Sequence, residues 1–257
     1  MQSKVHPTHL IVVWDGGLAK ERTALLPEYK AQRPEMPRNL ESQLDQIVDY
    51  LCAACIYSLL REGCEADDDI AVLARQAVEG GLEVVIASSD KDFMQLVSPE
   101  IRLLNPNDKT DTLWGPAEVK TKTGVEPTQI VDWLSLIGDA VDNIPGVPGV
   151  GAKTAADLLR QFGSIDAVYR RLAEVGSERL RSNLQASEGA VRRNQRLVRL
   201  NCEVPFEVSL EELACKPVDH AVLRQLYARW GFKTLLRELE QTRLPAGELF
   251  QETAVAC

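Results

Sequence analysis

Apolar residues form short continuous runs mixed with helically spaced ones up to about residue 115, and then recur at helical spacing almost throughout. Leu10-Ile-Val-Val-Trp14 is continuously apolar and predicts a strand buried on both faces. From Asn39 to about Arg61, the positions Leu40, Leu44, Ile47, Val48, Leu51, Ala54, Cys55, Tyr57 and Ser58 predict one long amphipathic helix. Ile70, Ala71, Leu73, Ala74, Ala77 and Val78 predict another over Glu65–Glu79, before a second strand at Leu82–Ala87 and a third at Ile101–Leu104. Helices are expected over 114–119 and Pro127–Ile137, the latter stopping at Gly138. Helical spacing returns at Ala155, Ala156, Leu158, Leu159 and Phe162, continues from Ile165 to Leu200, and closes with His220–Glu240. The pattern predicts an α/β domain over residues 1–115, with a mostly parallel central sheet and flanking helices, and a helical domain over 116–240. Residues 241–257 are expected to be a frayed tail.

Composition narrows the picture only a little. The chain has 257 residues, 45% of them hydrophobic, enough for a large core. A net charge of −9 does not announce a nucleic-acid binder, although bound cations could neutralise clustered acids. No apolar run approaches membrane-spanning length and the N-terminus has no signal-peptide pattern, so a cytoplasmic protein with no membrane contact is expected. Cys52 and Cys55 form a C-x-x-C inside an apolar run without a second pair, which reads as ordinary core cysteines rather than a zinc or redox site. The three histidines are scattered, so histidine-based catalysis is not expected.

The acids change the picture more. Glu65, Asp67, Asp68 and Asp69 crowd one helix start, and Asp90 and Asp92 follow the second strand. Asp15 ends the first strand, where the alternative is a turn-initiating aspartate before Gly16 and Gly17, and Asp139 and Asp142 open a Gly/Pro-rich stretch. A helix dipole accounts for one or two such carboxylates. In an open α/β sheet the carboxyl ends of strands are where ligands bind. Two like charges about 4 Å apart repel by about 4 kcal/mol at an effective dielectric of 20, so convergence of all these groups calls for divalent cations. Oxygen-only ligands suit Mg²⁺ or Mn²⁺, and a pair of such ions supports phosphodiester cleavage.

Basic groups supply the complement. Arg22, Tyr29, Lys30 and Arg33 interleave charge with an aromatic ring, fit to grip phosphates or to be a solvated loop. In Gly138–Thr154, two helices flank glycines and prolines, and Gly146, Gly149, Val150, Gly151, Lys153 and Thr154 offer amides and a charge at a helix N-terminus. Ala152 interrupts what a Walker A loop would require, so a sequence-independent grip on a DNA backbone fits better. The arginines of 165–200, Arg192, Arg196 and Arg199 among them, either extend that phosphate face or form solvated helix surface.

Taken together, Val-Val-Trp-Asp15, Tyr29-Lys30-x-x-Arg33-Pro, Glu65-Ala-Asp67-Asp68, Ser89-Asp90-Lys-Asp92 and Gly138-Asp139-x-x-Asp142-Asn-Ile-Pro-Gly-Val-Pro-Gly-Val-Gly resemble the 5′ nuclease family. That family includes flap endonucleases and the 5′–3′ exonuclease domain of bacterial DNA polymerase I. The resemblance implies a PIN/resolvase-like α/β domain and a helical domain with a helix–three-turn–helix at 136–160. It implies Mg²⁺ or Mn²⁺ at two sites, one held by Asp15, Glu65, Asp67 and Asp68, the other by Asp90, Asp92, Asp139 and Asp142. Arg22, Tyr29, Lys30 and Arg33 match the base of an arch that grips the 5′ strand and contacts the scissile phosphate. K⁺ is expected at the hairpin, on the carbonyls of Leu136, Ile137, Pro145, Val147 and Val150. The implied partner is DNA with 5′ ends or flaps, bound by a monomer. Family members begin with a further strand and helix carrying an aspartate and an arginine. This chain starts at the following strand, so the first metal site is expected to lack one carboxylate. With no polymerase domain following, the expectation is a stand-alone exonuclease and flap endonuclease. A catalytically impaired, structure-selective DNA binder is the alternative, and an RNA-directed nuclease a third reading.

Overall fold

A computed structural model describes residues 5–108, 110, 112–202 and 208–241. The tail after Gln241 lies outside them. The described residues fall into two units, one within 5–7, 12–35 and 58–212, the other within 8–11, 36–57 and 213–241.

All the acids of interest belong to the first unit. Strand β1 (Ile11–Trp14) pairs with β2 (Tyr57–Leu60) in a two-stranded sheet, and β1 is only half-buried rather than covered on both faces. A second sheet joins β3 (Val84–Ala87), β4 (Ile101–Leu104) and β5 (Leu113–Trp114) in that order. β3 and β4 are parallel, with Val84 opposite Ile101. β5 runs antiparallel to β4, with Trp114 opposite Leu103, so Trp114 belongs to a strand instead of opening a helix. Helix α1 (Lys20–Leu25) follows β1, and the next helix of this unit in chain order, Ala66–Glu79, starts where the sequence places it, with Glu65 as the extended N-cap.

The second unit holds α2 (Arg38–Ala53), so the helix just named is α3. The single helix expected over 39–61 ends at Ala53, because Cys55 adopts a left-handed φ of +52° and Ile56 N–H turns back to the Leu51 carbonyl (2.9 Å). The run that follows, Tyr57–Leu60, alternates half-buried and exposed positions as a strand does. Short apolar runs do not reveal by periodicity alone which state they take. Cys52 is exposed, so it is not the core cysteine expected, and neither it nor Cys55 is in a disulfide.

α4 (Pro116–Thr123) and α5 (Ile130–Ile137) continue the first unit. α5 is apolar nearly all round, with Ile130, Leu134 and Leu136 fully buried, and forms the centre of the main core. A hairpin of β6 (Gly138–Asp139) and β7 (Ile144–Pro145) leads to α6 (Ala152–Phe162), α7 (Ile165–Arg170) and the 21-residue α8 (Glu178–Val198), which packs along α5. In the second unit, α9 (His220–Trp230) and α10 (Lys233–Gln241) break at Gly231 and pack with α2 around Leu223, Leu226 and Tyr227. Among the described residues no helix is long and apolar enough to cross a membrane.

Candidate metal centre

Asp15 sits in the turn after β1, where its Oδ1 accepts the Gly17 N–H (2.8 Å). That turn lies flush against the segment before α3: a Cβ on Gly16 would come within 1.8 Å of the Arg61 carbonyl oxygen. The close approach is fixed by Gly16 N–H to Cys64 O (3.0 Å) and Gly63 N–H to Gly16 O (2.8 Å). Sequence order alone gives no hint of this apposition, which carries Asp15 to the acidic end of α3.

Glu65 is 1% exposed and fully engaged. Its Oε2 accepts from Lys30 Nζ (2.7 Å) and Tyr29 Oη (3.1 Å), with Arg22 Nη1 at 3.3 Å, and Oε1 accepts Ala19 N–H (3.2 Å). Burial by itself would raise the Glu65 pKa, but the Lys30 hydrogen bond and the charges of Arg22 and Lys30 bring it below the ordinary value. The neighbouring Tyr29 phenol is pushed well up, by burial first and by Glu65 and Asp142 after it.

The next two carboxylates of α3 diverge. Asp67 has no ion-pair partner among the described residues, and its pKa is raised to about 6, mainly by burial, then by Asp90, with Glu65 and Asp15 adding and Lys30 opposing. Asp68 instead faces inward to Arg22, in a bidentate pair of 2.8 and 2.7 Å, and also accepts the Asn201 N–H (2.8 Å). Asp68, expected as a metal ligand beside Asp67, is thus paired with Arg22, whereas Asp67 is not. Asp69, one position on, pairs with Arg61.

Of the second acidic group of four, three members come together. Single carboxylate oxygens of Asp92, Asp139 and Asp142 all lie within 4.8 Å of one another. Asp90 caps the 3₁₀ turn Lys91–Leu96, accepting Asp92 N–H (2.9 Å), and this turn aims Asp92 at the pair from the hairpin. Asp139 Oδ1 accepts Val141 N–H (2.9 Å) and its Oδ2 meets Lys91 Nζ (3.1 Å). Asp142 binds Arg33 (2.7 Å), while its Oδ2 lies 3.4 Å from the Tyr29 hydroxyl and 4.0 Å from Lys30 Nζ. Asp92 Oδ1 is buried without a hydrogen-bond partner. Burial and then Asp90, Asp139 and Asp142 drive the Asp92 pKa far up. A buried carboxylate with one orphaned oxygen, close to two more carboxylates, fits the donor set of a hard divalent cation.

The basic residues divide in the same way. Lys30, at φ +55° and with a 3% exposed side chain, is turned onto Glu65, whereas the Arg33 side chain is 43% exposed and reaches outward past Asp142. Lys91 is a counter-charge that sequence reasoning did not single out, although its place between Asp90 and Asp92 was visible.

At the hairpin, Gly146 is needed for close approach: a Cβ there would meet the Ile137 carbonyl oxygen at 2.2 Å. Val150 is buried in the core, while Gly149, Gly151 and Lys153 are exposed around the start of α6 and Thr154 is half-buried. Three of the five expected cation-binding carbonyls each already accept a hydrogen bond: Leu136 from Val147 N–H (2.8 Å), Val147 from Val150 N–H (3.0 Å) and Pro145 from Asn194 Nδ2 (2.8 Å). Asn194, fully buried on α8, also holds the Ser135 carbonyl (3.1 Å), and nothing in the sequence marked it out.

The N-terminal resolvase-like domain of the 5′-3′ exonucleases matches residues 1–124, and their C-terminal SAM fold matches residues 125–221. The chain belongs to the 5′-3′ exonuclease family. It is 37% identical to a 5′-3′ exonuclease of Aquifex aeolicus over 93% of its own length and 80% of that protein. It is 38% identical to flap endonuclease Xni of Shewanella pealeana, over 83% of its length and 82% of that protein. DNA polymerase I of Rhizobium leguminosarum is also 38% identical over 92% of the chain, which spans only 23% of that relative. The fold is that of the bacteriophage T5 D15 flap endonuclease, solved as a pseudo-enzyme–product complex with DNA and metal ions: TM-score 0.67, 23% identity, 93% of this chain and 86% of that one. The family match agrees with the α/β-then-helical order expected from the sequence.

Proposed function

We propose that this chain is a divalent-metal-dependent 5′–3′ exonuclease and 5′-flap endonuclease that hydrolyses DNA phosphodiesters as a cytoplasmic monomer, in primer processing and repair. The observation that carries it is the meeting of Asp92, Asp139 and Asp142, with the Asp92 oxygen left unpartnered. Asp92, Asp139 and Asp142, with Asp90 beside them, would hold one Mg²⁺ or Mn²⁺; Asp15, Glu65 and Asp67 would face the other. Bound there, such ions supply charge stabilisation for the reacting phosphate and lower the pKa of water.

The chain's own groups do the rest. Glu65 is kept ionised by Lys30, Arg22 and the Ala19 amide, so it stays available as an anion at neutral pH. Tyr29, whose raised pKa keeps it protonated, orients Glu65 and Asp142 through its hydroxyl. Arg33, partly exposed, can exchange Asp142 for a substrate phosphate. The exposed amides at Gly149 and Gly151 and the Lys153 charge would hold the duplex backbone, with K⁺ on the hairpin carbonyls.

The test is cleavage of a 5′-flap duplex in Mg²⁺ against EDTA. Cleavage that requires the metal is expected, and Asp90→Ala should abolish it while leaving flap binding largely intact. Salt-sensitive flap binding by the wild type without cleavage in Mg²⁺ or Mn²⁺ would instead establish the structure-selective binder. Preference for RNA flaps over DNA flaps would redirect the substrate assignment.

A further inference from the structure

Beside the acidic centre the first unit contains a cavity of about 980 Å³, lined in part by the Arg22–Asp68 pair. Its wall carries six cations, Lys20, Arg22, Arg75, Arg192, Arg196 and Arg199, against three acids, Glu21, Glu62 and Asp68. This is a local reversal of sign in a chain whose net charge is −9. Three of the cations have acidic partners: Arg22 with Asp68 (2.7 Å), Arg75 with Glu79 (2.9 Å) and Arg192 with Asp166 (2.5 Å). Lys20, Arg196 and Arg199 are exposed, and among the described residues none of them pairs with a carboxylate. They come from two elements 175 residues apart, α1 and the C-terminal end of α8, and Arg22 fixes that juxtaposition by donating to the carbonyls of Leu197 (3.0 Å) and Arg199 (3.1 Å).

The geometry points to this cavity as a second nucleic-acid contact, a trench that takes a few nucleotides of single strand leaving the acidic centre. It rests on the nuclease reading for the source of that strand. The occupant must be polyanionic, because guanidinium and ammonium groups gathered around one cavity repel one another until phosphates lie among them. It must be small: a volume of about 980 Å³ is at the upper end of small-molecule pockets, room for a few nucleotides rather than a duplex. No aromatic side chain lines the cavity, whose apolar lining is Leu25 and Leu200 with Ala19, Cys64 and Cys202. The grip is therefore on phosphates, without base stacking and without sequence preference.

The experiment measures binding of a fluorescein-labelled oligothymidylate of about 12 nucleotides to the full chain by anisotropy, in EDTA, across salt concentrations. Each phosphate contact on a single strand adds about 0.7 to the slope of log K against log salt. Lys20→Gln/Arg196→Gln/Arg199→Gln should therefore flatten the slope by about 2 and lose about 100-fold in affinity near 0.1 M salt. Arg196→Lys/Arg199→Lys, which keeps the charge, should keep the affinity. A strand carrying 4-thiothymidine should photo-crosslink to peptides 20–25 or 192–202 of the wild type, a readout that needs no variant. An unchanged slope in the triple variant, crosslinks confined to other peptides, or equally tight binding of inorganic phosphate would overturn the trench. Flap hydrolysis is measured separately: its absence in the wild type defeats the nuclease reading, whereas normal hydrolysis beside an unchanged slope defeats the trench alone.

Discussion

Asp67→Asn in metal-free protein separates a carboxylate kept for a cation from one kept for stability. In the folded chain Asp67 titrates at about 6, against 3.8 for the unperturbed group, because it is buried beside Asp90, Glu65 and Asp15. The folded pKa lies above the unfolded one, so between these values the folded state binds more protons, and stability falls as pH rises through that window. The shift of about 2 units corresponds to roughly 3 kcal/mol of destabilisation, fully present above pH 6 and absent below about 4. Asparagine has nearly the same shape without the charge. In EDTA at pH 8, Asp67→Asn should therefore unfold later than wild type, by up to about 6–12 °C at 2–4 °C per kcal/mol. At pH 4 the two should nearly coincide. Mn²⁺ at about 1,000-fold excess over the dissociation constant should reverse the order at pH 8, since it adds about 4.1 kcal/mol to the protein that binds it. Differential scanning fluorimetry over pH 4–8, with and without Mn²⁺, reads all of this. A variant that is less stable than wild type at pH 8 in EDTA would refute the reasoning, because the Asp67 charge would then be satisfied within the protein.

Arg22→Met leaves Asp68 and Glu65 buried without their guanidinium and should cost about 3–5 kcal/mol in urea unfolding, with Asp68→Leu added to it restoring much of the loss; an unchanged midpoint would show that the pair is not structural. Lys30→Met removes the closest cation from Glu65, whose lowered pKa contributes stability above about 4.5 that is lost as pH falls through the folded value. Its acid-unfolding midpoint, followed by circular dichroism, should move to higher pH, and an identical midpoint would contradict the ion pair. Gly146→Ala forces a Cβ to within 2.2 Å of the Ile137 carbonyl oxygen, so the hairpin must shift and binding of blunt duplex DNA should weaken and lose any K⁺ dependence. Duplex binding equal to wild type in K⁺ would remove the hairpin from the interface.

What the residues settled unaided was local and chemical. Three aspartates in a first turn suit the positive end of the helix dipole, and α3 begins where the spacing says, with Glu65 at its N-cap position. The run Val84–Ala87 between turn residues makes a strand, and α5 stops at Gly138, whose φ of +74° suits glycine. The order of acidic and glycine-rich motifs sufficed for the family. The fate of each charge was decided by partners far away in the chain. Asp67 and Asp68 are adjacent and chemically identical, yet Asp68 faces Arg22 and the Asn201 amide, and Asp67 faces other acids. Helical geometry turns neighbouring side chains about 100° apart, so one must point inward when the other opens to the site. Lys30 reads as a phosphate grip in sequence and is spent on Glu65 in space, because a buried anion draws in the nearest cation that can reach it. The strand at Tyr57–Leu60 was equally hidden, since a half-buried strand of four residues leaves too short a pattern to outvote the helix before it.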